Sequence, residues 1–188
     1  MERKKILFLV EIPMFATLAF ILDFFPFLSF KLWAQGGSVS FSMVPVLLVA
    51  FRWGIKGGIY SGLLFGLLNM LFGGYVFTPV QAALDYIVAF GAIGLSGVFS
   101  HGVRQANKNG HKKRFLTYIT FGALIGSTVR FLCHFIAGIV FFSQYTPEGQ
   151  TVWYYALWYN GSYMLPSFLL STIILSLLFY KQPRLLRT

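Results

Sequence analysis

Long apolar runs separated by short polar connections organise this chain. Six can be drawn, at roughly 6–26, 40–52, 55–73, 80–99, 115–142 and 152–180. A helix needs about 20 apolar residues to cross a ~30 Å hydrocarbon core. The run at 40–52 falls short, so it is expected to be tilted, partly re-entrant or extended by its flanks. The pattern predicts an all-α integral membrane protein with six transmembrane helices, folded as a single membrane domain over residues 1–188. Its first run follows Met1-Glu-Arg-Lys-Lys5, as a signal peptide would. It continues to about Phe25, however, contains Glu11, Pro13 and Asp23, and has no small-residue cleavage site, so it is expected to stay as the first helix.

Glycines mark where helices approach one another. Gly54, Gly58, Gly62 and Gly66 recur every fourth residue through the third run, and Gly122 and Gly126 precede Arg130 at the same interval. Small residues at this spacing let membrane helices pack closely.

Composition agrees with the pattern. Only 11% of residues are charged and 57% are hydrophobic, against roughly 25% charged in a soluble domain. The net charge of +10 does not imply nucleic acid, because the basic residues lie in short segments between apolar runs. With the N-terminus in the cytoplasm, Arg3, Lys4, Lys5, Arg52, Lys56, Arg104, Lys108, Lys112, Lys113, Arg114, Lys181, Arg184 and Arg187 all fall on that side. Lys31 alone falls outside. The positive-inside rule therefore predicts that both termini are cytoplasmic in a multi-pass protein of the cell membrane.

Arg130 is the one basic residue left inside a run, and His134 follows it by four. Four residues bring side chains to the same helix face, and an ionisable group in hydrocarbon costs at least ~3 kcal/mol at the helix centre. The pair is therefore expected to face a polar cavity. Gln81 and Asp85 share a face in the same way, after a helix start at Thr78-Pro79. Two readings stand for Asp85: an ion pair with Arg130 that joins the fourth and fifth helices, or a carboxylate offered to a cationic or hydrogen-bonding ligand. The two are compatible if Arg130 holds Asp85 in place. Glu11 reads as a polar contact with another helix or subunit, Asp23 reaches the outer interface, and Glu148 sits in the turn Thr146-Pro-Glu-Gly149.

Trp33, Tyr75, Phe77, Phe141, Phe142, Tyr145, Trp153, Tyr154, Tyr155, Trp158, Tyr159 and Tyr163 concentrate on the outer side. An interfacial belt would populate both sides. Flat rings beside a carboxylate and an amide suit a flat cationic heteroaromatic compound, each stack or cation–π contact contributing ~0.5–2 kcal/mol. Asn160 adds a donor and an acceptor. Several chemistries are excluded. No Walker-type loop is present, so the chain is not expected to hydrolyse ATP. His101 and His111 lie on the opposite side from His134, which leaves no metal set. Cys133 points about 100° away from His134. No catalytic residues and no cofactor are expected.

Val80-Gln-Ala-Ala-Leu-Asp-Tyr-Ile-Val-Ala-Phe90, His134-Phe-Ile-Ala-Gly-Ile-Val-Phe-Phe-Ser-Gln-Tyr145 and Tyr155-Ala-Leu-Trp-Tyr-Asn-Gly161 resemble the thiamine-specific S-component of energy-coupling factor (ECF) transporters, over nearly the whole chain. The resemblance implies high-affinity capture of thiamine from outside. Import would be driven by a separate ECF module, two ATPases and one transmembrane coupling protein. By position it implies Asp85 facing the cationic ligand, with His134, Tyr155, Asn160, Tyr75 and Tyr86 in the pocket and Arg130 as a basic residue. Phe142 occupies a stacking position, and Trp33 falls near another. Asp85 is one methylene shorter than the glutamate of some members. Where the family often carries Ala-x-x-x-Ala for docking to the coupling protein, this chain has Pro13-x-x-x-Thr17, with Ala16 and Ala19 nearby. Closure of the segment Gly73–Pro79 would occlude the ligand. Two alternatives stay open: an S-component for another vitamin, such as riboflavin or a thiamine precursor, and a solitary proton-coupled vitamin carrier with Asp85 and His134 as its relay. An intramembrane enzyme is a third class. The partners expected are thiamine, the ECF module and membrane lipid, with no nucleic acid.

Overall fold

Helix α1 (Glu2–Phe24) leads into an antiparallel hairpin of β1 (Ser29–Trp33) and β2 (Gly36–Ser40) in this computed structural model, which describes residues 2–33 and 36–187. Helices α2 (Met43–Gly73), α3 (Pro79–Lys108), α4 (Lys112–Phe141) and α5 (Val152–Lys181) follow. All five helices are long and apolar enough to cross a membrane, and the chain is a multi-pass membrane protein.

The break expected between the second and third apolar runs lies inside α2, at Gly54, where φ is 80° and ψ −168°. A side chain would strain that backbone, and glycine adopts it freely. The chain doubles back there. A Cβ placed on Gly58 would lie 2.7 Å from the Ala50 Cβ, whereas eight residues of straight helix span ~12 Å. The arm before the turn is short, and Val46, Leu47, Val49, Ala50 and Phe51 in it are fully enclosed. It is a central core helix, and its shortness leaves depth above Met43 for a cavity.

Gly58, Gly62 and Gly66 of the second arm press on α3. A Cβ at Gly62 or Gly66 would overlap the carbonyl oxygens of Phe90 or Tyr86, and Gly94 meets Ile59 in return. This is close helix approach through small residues. Helix α3 is irregular along its length. Residues Ala83–Val88 form a π-helical turn and Ile93–Phe99 a 3-10 stretch. A wide turn of this kind re-aims side chains and often accompanies function; here it carries Asp85 and Tyr86. The basic segment after Phe99 is mostly helical rather than a loop, since Ser100–Lys108 continues α3 with Val103 and Ala106 buried.

The hairpin departs from the all-helical expectation. Its strands pair Ser29 with Ser40, Phe30 with Val39 and Lys31 with Ser38. It is held from both sides. Asp23 at the end of α1 accepts from Ser40 at 2.8 Å and from Ser38 at 3.3 Å, and the Trp33 indole donates to Ser162 of α5 at 2.9 Å.

At the other end of the bundle, the Glu11 carboxylate accepts two bonds from Arg52, at 2.6 and 2.7 Å, and one from the Trp53 indole at 2.6 Å. Arg52 also donates to the Leu185 carbonyl at 2.8 Å, and Arg104 donates to the Arg52 carbonyl at 2.7 Å. Four segments meet there, so Glu11 is a contact with another helix of the same chain. Helix α1 also narrows the expected docking face. Ala16 and Ala19 are buried in the chain's own core, so they are not available to a partner in this arrangement. Pro13 and Thr17 face outwards.

Candidate functional site

Below the hairpin lies a cavity of about 340 Å³, within the usual size range of small-molecule sites. Helix α3 supplies its floor chemistry. Pro79 opens the helix and the Thr78 hydroxyl caps it, accepting from the Gln81 amide N–H at 3.1 Å. Gln81 is wholly buried. Its amide nitrogen donates to Asp85 Oδ2 at 2.8 Å and to the Tyr75 carbonyl at 3.1 Å, and its oxygen accepts from the Phe77 N–H at 3.0 Å. The Tyr86 hydroxyl accepts from the Tyr75 N–H at 2.7 Å. The segment between α2 and α3 is thus clamped over the cavity by the residues that orient Asp85.

Helix α4 brings the second half. His134 Nδ1 meets Asp85 Oδ1 at 2.9 Å. Arg130 Nε donates to His134 Nε2 at 3.4 Å, while its guanidinium lies 4.4 Å above the Phe90 ring centre. The direct Arg130–Asp85 ion pair does not form, because the imidazole stands between them. With Nε2 accepting, the proton sits on Nδ1 and is donated to the carboxylate. The chain of contacts therefore runs Arg130, His134, Asp85, Gln81. Both i, i+4 pairs expected from spacing are in contact.

Helix α5 closes the third side. Asn160 donates to the Ala156 carbonyl at 2.9 Å and to the His134 carbonyl at 3.4 Å, and it accepts from the Tyr163 hydroxyl at 2.7 Å. It ties α5 to α4 while lining the cavity. Tyr155, Tyr159 and Tyr163 stand one turn apart on the same wall, and Phe142 lines the cavity with its ring edge-on to Phe77 at 5.2 Å. At the rim, the neighbouring Tyr75 hydroxyl pushes the Tyr145 phenol above the usual tyrosine range.

Asp85, His134, Tyr155, Asn160, Phe142, Tyr86, Tyr75 and Arg130 all line this one cavity. Trp33 does not line it; its ring packs 5.3 Å from Tyr159, behind the wall. Several further residues line the cavity beyond those expected in it. Asp23, Lys31, Ser38, Ser40 and Ser42 reach it through the hairpin, and Asn69, Phe90, Tyr159 and Tyr163 through the helices, the two tyrosines from the group of outer aromatics. The tyrosines carried a readable signal, their i, i+4 spacing. Asp23 carried none, because its partners depend on strand pairing.

The electrostatics are unusual for a membrane interior. Asp23 and Asp85 both line the cavity without a lysine or arginine within 4.0 Å among the described residues, and Lys31 and Arg130 likewise lack a carboxylate. Removing a carboxylate from water costs several kcal/mol unless something compensates it. Asp85 has Gln81 and the Nδ1–H of His134 as donors and no lysine or arginine partner among the described residues. A flat ligand with a positive ring would supply the missing partner, and its polar substituents could use the free arginine and lysine donors. Among the described residues no three His, Cys, Asp or Glu side chains gather as a metal set.

Comparison with known proteins bears on this arrangement. A family model described as "Thiamine transporter protein" matches residues 9–187. The thiamine transporter ThiT of Bacillus subtilis is 44% identical over 100% of this chain and 97% of its own length. ThiT of Lacticaseibacillus paracasei is 28% identical over 98% of this chain and 92% of its own. The solved structure of ThiT from Listeria monocytogenes superposes with a TM-score of 0.91, at 32% identity, covering 98% of this chain and 100% of that one.

Proposed function

The chain belongs to the thiamine transporter protein family, and from that membership we propose that it binds thiamine in the cavity beneath the hairpin and serves its uptake. The observation that carries this reading is Asp85: a buried carboxylate, oriented by Gln81 and His134, with no lysine or arginine within 4.0 Å among the described residues, in a cavity walled by aromatic rings. Thiamine is a flat cation with two heteroaromatic rings. Asp85 faces its positive ring, Phe142, Tyr155 and Tyr86 flank the rings, and Asn160 and His134 set their orientation. Arg130 offers its free donors to the polar end of the ligand. Tyr75 sits in the clamped segment that closes the site, and Trp33 braces the hairpin against α5.

Within this proposal the protein is a high-affinity S-component of an ECF transporter and has no uptake activity alone. A coupling protein with two ATPases supplies the energy and meets α1 at Pro13 and Thr17. The chain crosses the membrane six times as one domain, with both termini in the cytoplasm. The reversal at Gly54 supports that count. The Glu11–Arg52–Leu185 cluster supports the placement of the termini, since it holds the start of α1 and the end of α5 at one face, where the basic residues also lie.

Titration of the purified protein with thiamine, followed by tryptophan fluorescence, tests the ligand. Saturable quenching with a submicromolar Kd is expected, and absence of binding below micromolar concentration would overturn the reading. Reconstituted vesicles test the coupling. Thiamine should accumulate only when the ATPase module is present, and accumulation without it would contradict the S-component assignment.

A further inference from the structure

The hairpin over the cavity has two faces of opposite character. Lys31 lines the cavity and Trp33 packs on Tyr159, so the odd-numbered positions of β1 face inwards. Alternation along a strand sends Phe30 and Leu32 the other way, and Phe30 is 69% exposed. The chain leading to the strand is Phe24-Phe-Pro-Phe-Leu-Ser-Phe30, without a charge. Phe27 is 80% exposed, and Leu71 and Phe72 at the end of α2 are exposed as well.

Five phenylalanines form one ladder that leads up to the hairpin. Phe72 packs on Phe20 at 5.5 Å, Phe20 on Phe24 at 5.2 Å, Phe24 on Phe25 at 5.7 Å and Phe25 on Phe27 at 5.6 Å. The ladder begins inside the span and ends at the hairpin. It also prolongs the outward stripe of α1, where Ile6, Val10, Met14, Leu18 and Ile21 are exposed at helical spacing, and Phe25 N–H still bonds the Ile21 carbonyl. A stripe of that kind on a spanning helix faces acyl chains. The residue type adds a second argument. The exposed aromatics at the same end of α5 are Trp153, Tyr154 and Trp158, each with a polar atom suited to the headgroup zone. The outward face of the hairpin carries Phe30 and Leu32, with Val39 paired to Phe30 on the same face, none with such an atom, and an exposed apolar patch of this kind does not stay in water.

We propose that the outward face of the hairpin is seated in the acyl region of the bilayer, so that lipid forms the outer wall of the structure covering the cavity. Lipid then opposes outward movement of β1, and the hairpin opens against the membrane rather than into water.

Single nitroxide labels on the full-length protein in phosphatidylcholine vesicles, with Cys133→Ala as background, test this without reference to any ligand. Labels would replace Phe27, Phe30, Lys31 and Glu148 in turn. Collisions with dissolved oxygen should exceed those with a nickel chelate at 27 and 30, and the order should invert at 31 and 148. Nickel-dominated collisions at 27 and 30 would overturn the proposal. So would shielding from both reagents together with dipolar coupling between labels, the signature of a second copy covering the face. Labels at Phe25 and Leu71 carry the same expectation should a label at 27 or 30 prevent folding.

Discussion

Two buried carboxylates, Glu11 and Asp85, occupy opposite ends of the bundle and are furnished in opposite ways. Glu11 is saturated. Arg52 grips both oxygens, Trp53 adds a third donor, and the guanidinium continues to the Leu185 carbonyl. Asp85 receives one donor on each oxygen, from Gln81 and His134, and among the described residues no lysine or arginine lies within 4.0 Å. Neutral donors fix a carboxylate in place without cancelling its charge, whereas an arginine does both. The first arrangement is a fastener, complete within the chain. The second is oriented and electrically incomplete, which is what a site for a cation requires.

That contrast is broken most severely at the fastener. Glu11→Ala leaves Arg52 buried without its partner, and a broken buried pair costs ~3–5 kcal/mol. Thermal unfolding in detergent should fall by that equivalent, while thiamine affinity of the folded fraction is unchanged. Asp85→Asn should do the reverse. Thiamine binding by calorimetry should weaken by at least ~100-fold, about 2.7 kcal/mol, with a much smaller shift in unfolding. A smaller effect is expected at Gln81→Leu, which frees both Asp85 and the segment at Tyr75–Phe77. Affinity should fall by roughly tenfold, about 1.4 kcal/mol, and stopped-flow release should speed up in proportion. Tyr163→Phe removes one buried hydrogen bond to Asn160, worth ~1 kcal/mol. It should lower stability slightly and change affinity by no more than about threefold.

What could be read from the sequence was what depends on local spacing. Arg130 with His134 and Gln81 with Asp85 are helical neighbours, so their contacts followed from i, i+4 geometry alone. The glycine stripe predicted close approach of α2 and α3, and the gap between the second and third runs anticipated the reversal at Gly54. Contacts set by tertiary structure were hidden. Asp23 joins the cavity only because Ser38 and Ser40 are carried to it by a five-residue strand rich in glycine and serine, a composition with weak strand preference. The relation of Arg130 to Asp85 was legible as proximity but not as geometry, because the intervening His134 settles it. Trp33 shows the same limit: its place beside Tyr159 depends on strand direction, which spacing within the loop does not define. Ala16 and Ala19 looked like a docking surface until the packing of α1 turned them inwards.

The central claim is that Asp85 selects its ligand by charge. The most direct measurement compares binding of thiamine with that of an uncharged analogue in which a thiophene replaces the thiazolium, in the native protein and in Asp85→Asn. The native protein should prefer thiamine by at least ~100-fold, about 2.7 kcal/mol, and the substitution should erase most of that preference. Equal affinity of the native protein for both compounds, or a preference that survives in Asp85→Asn, would contradict the account.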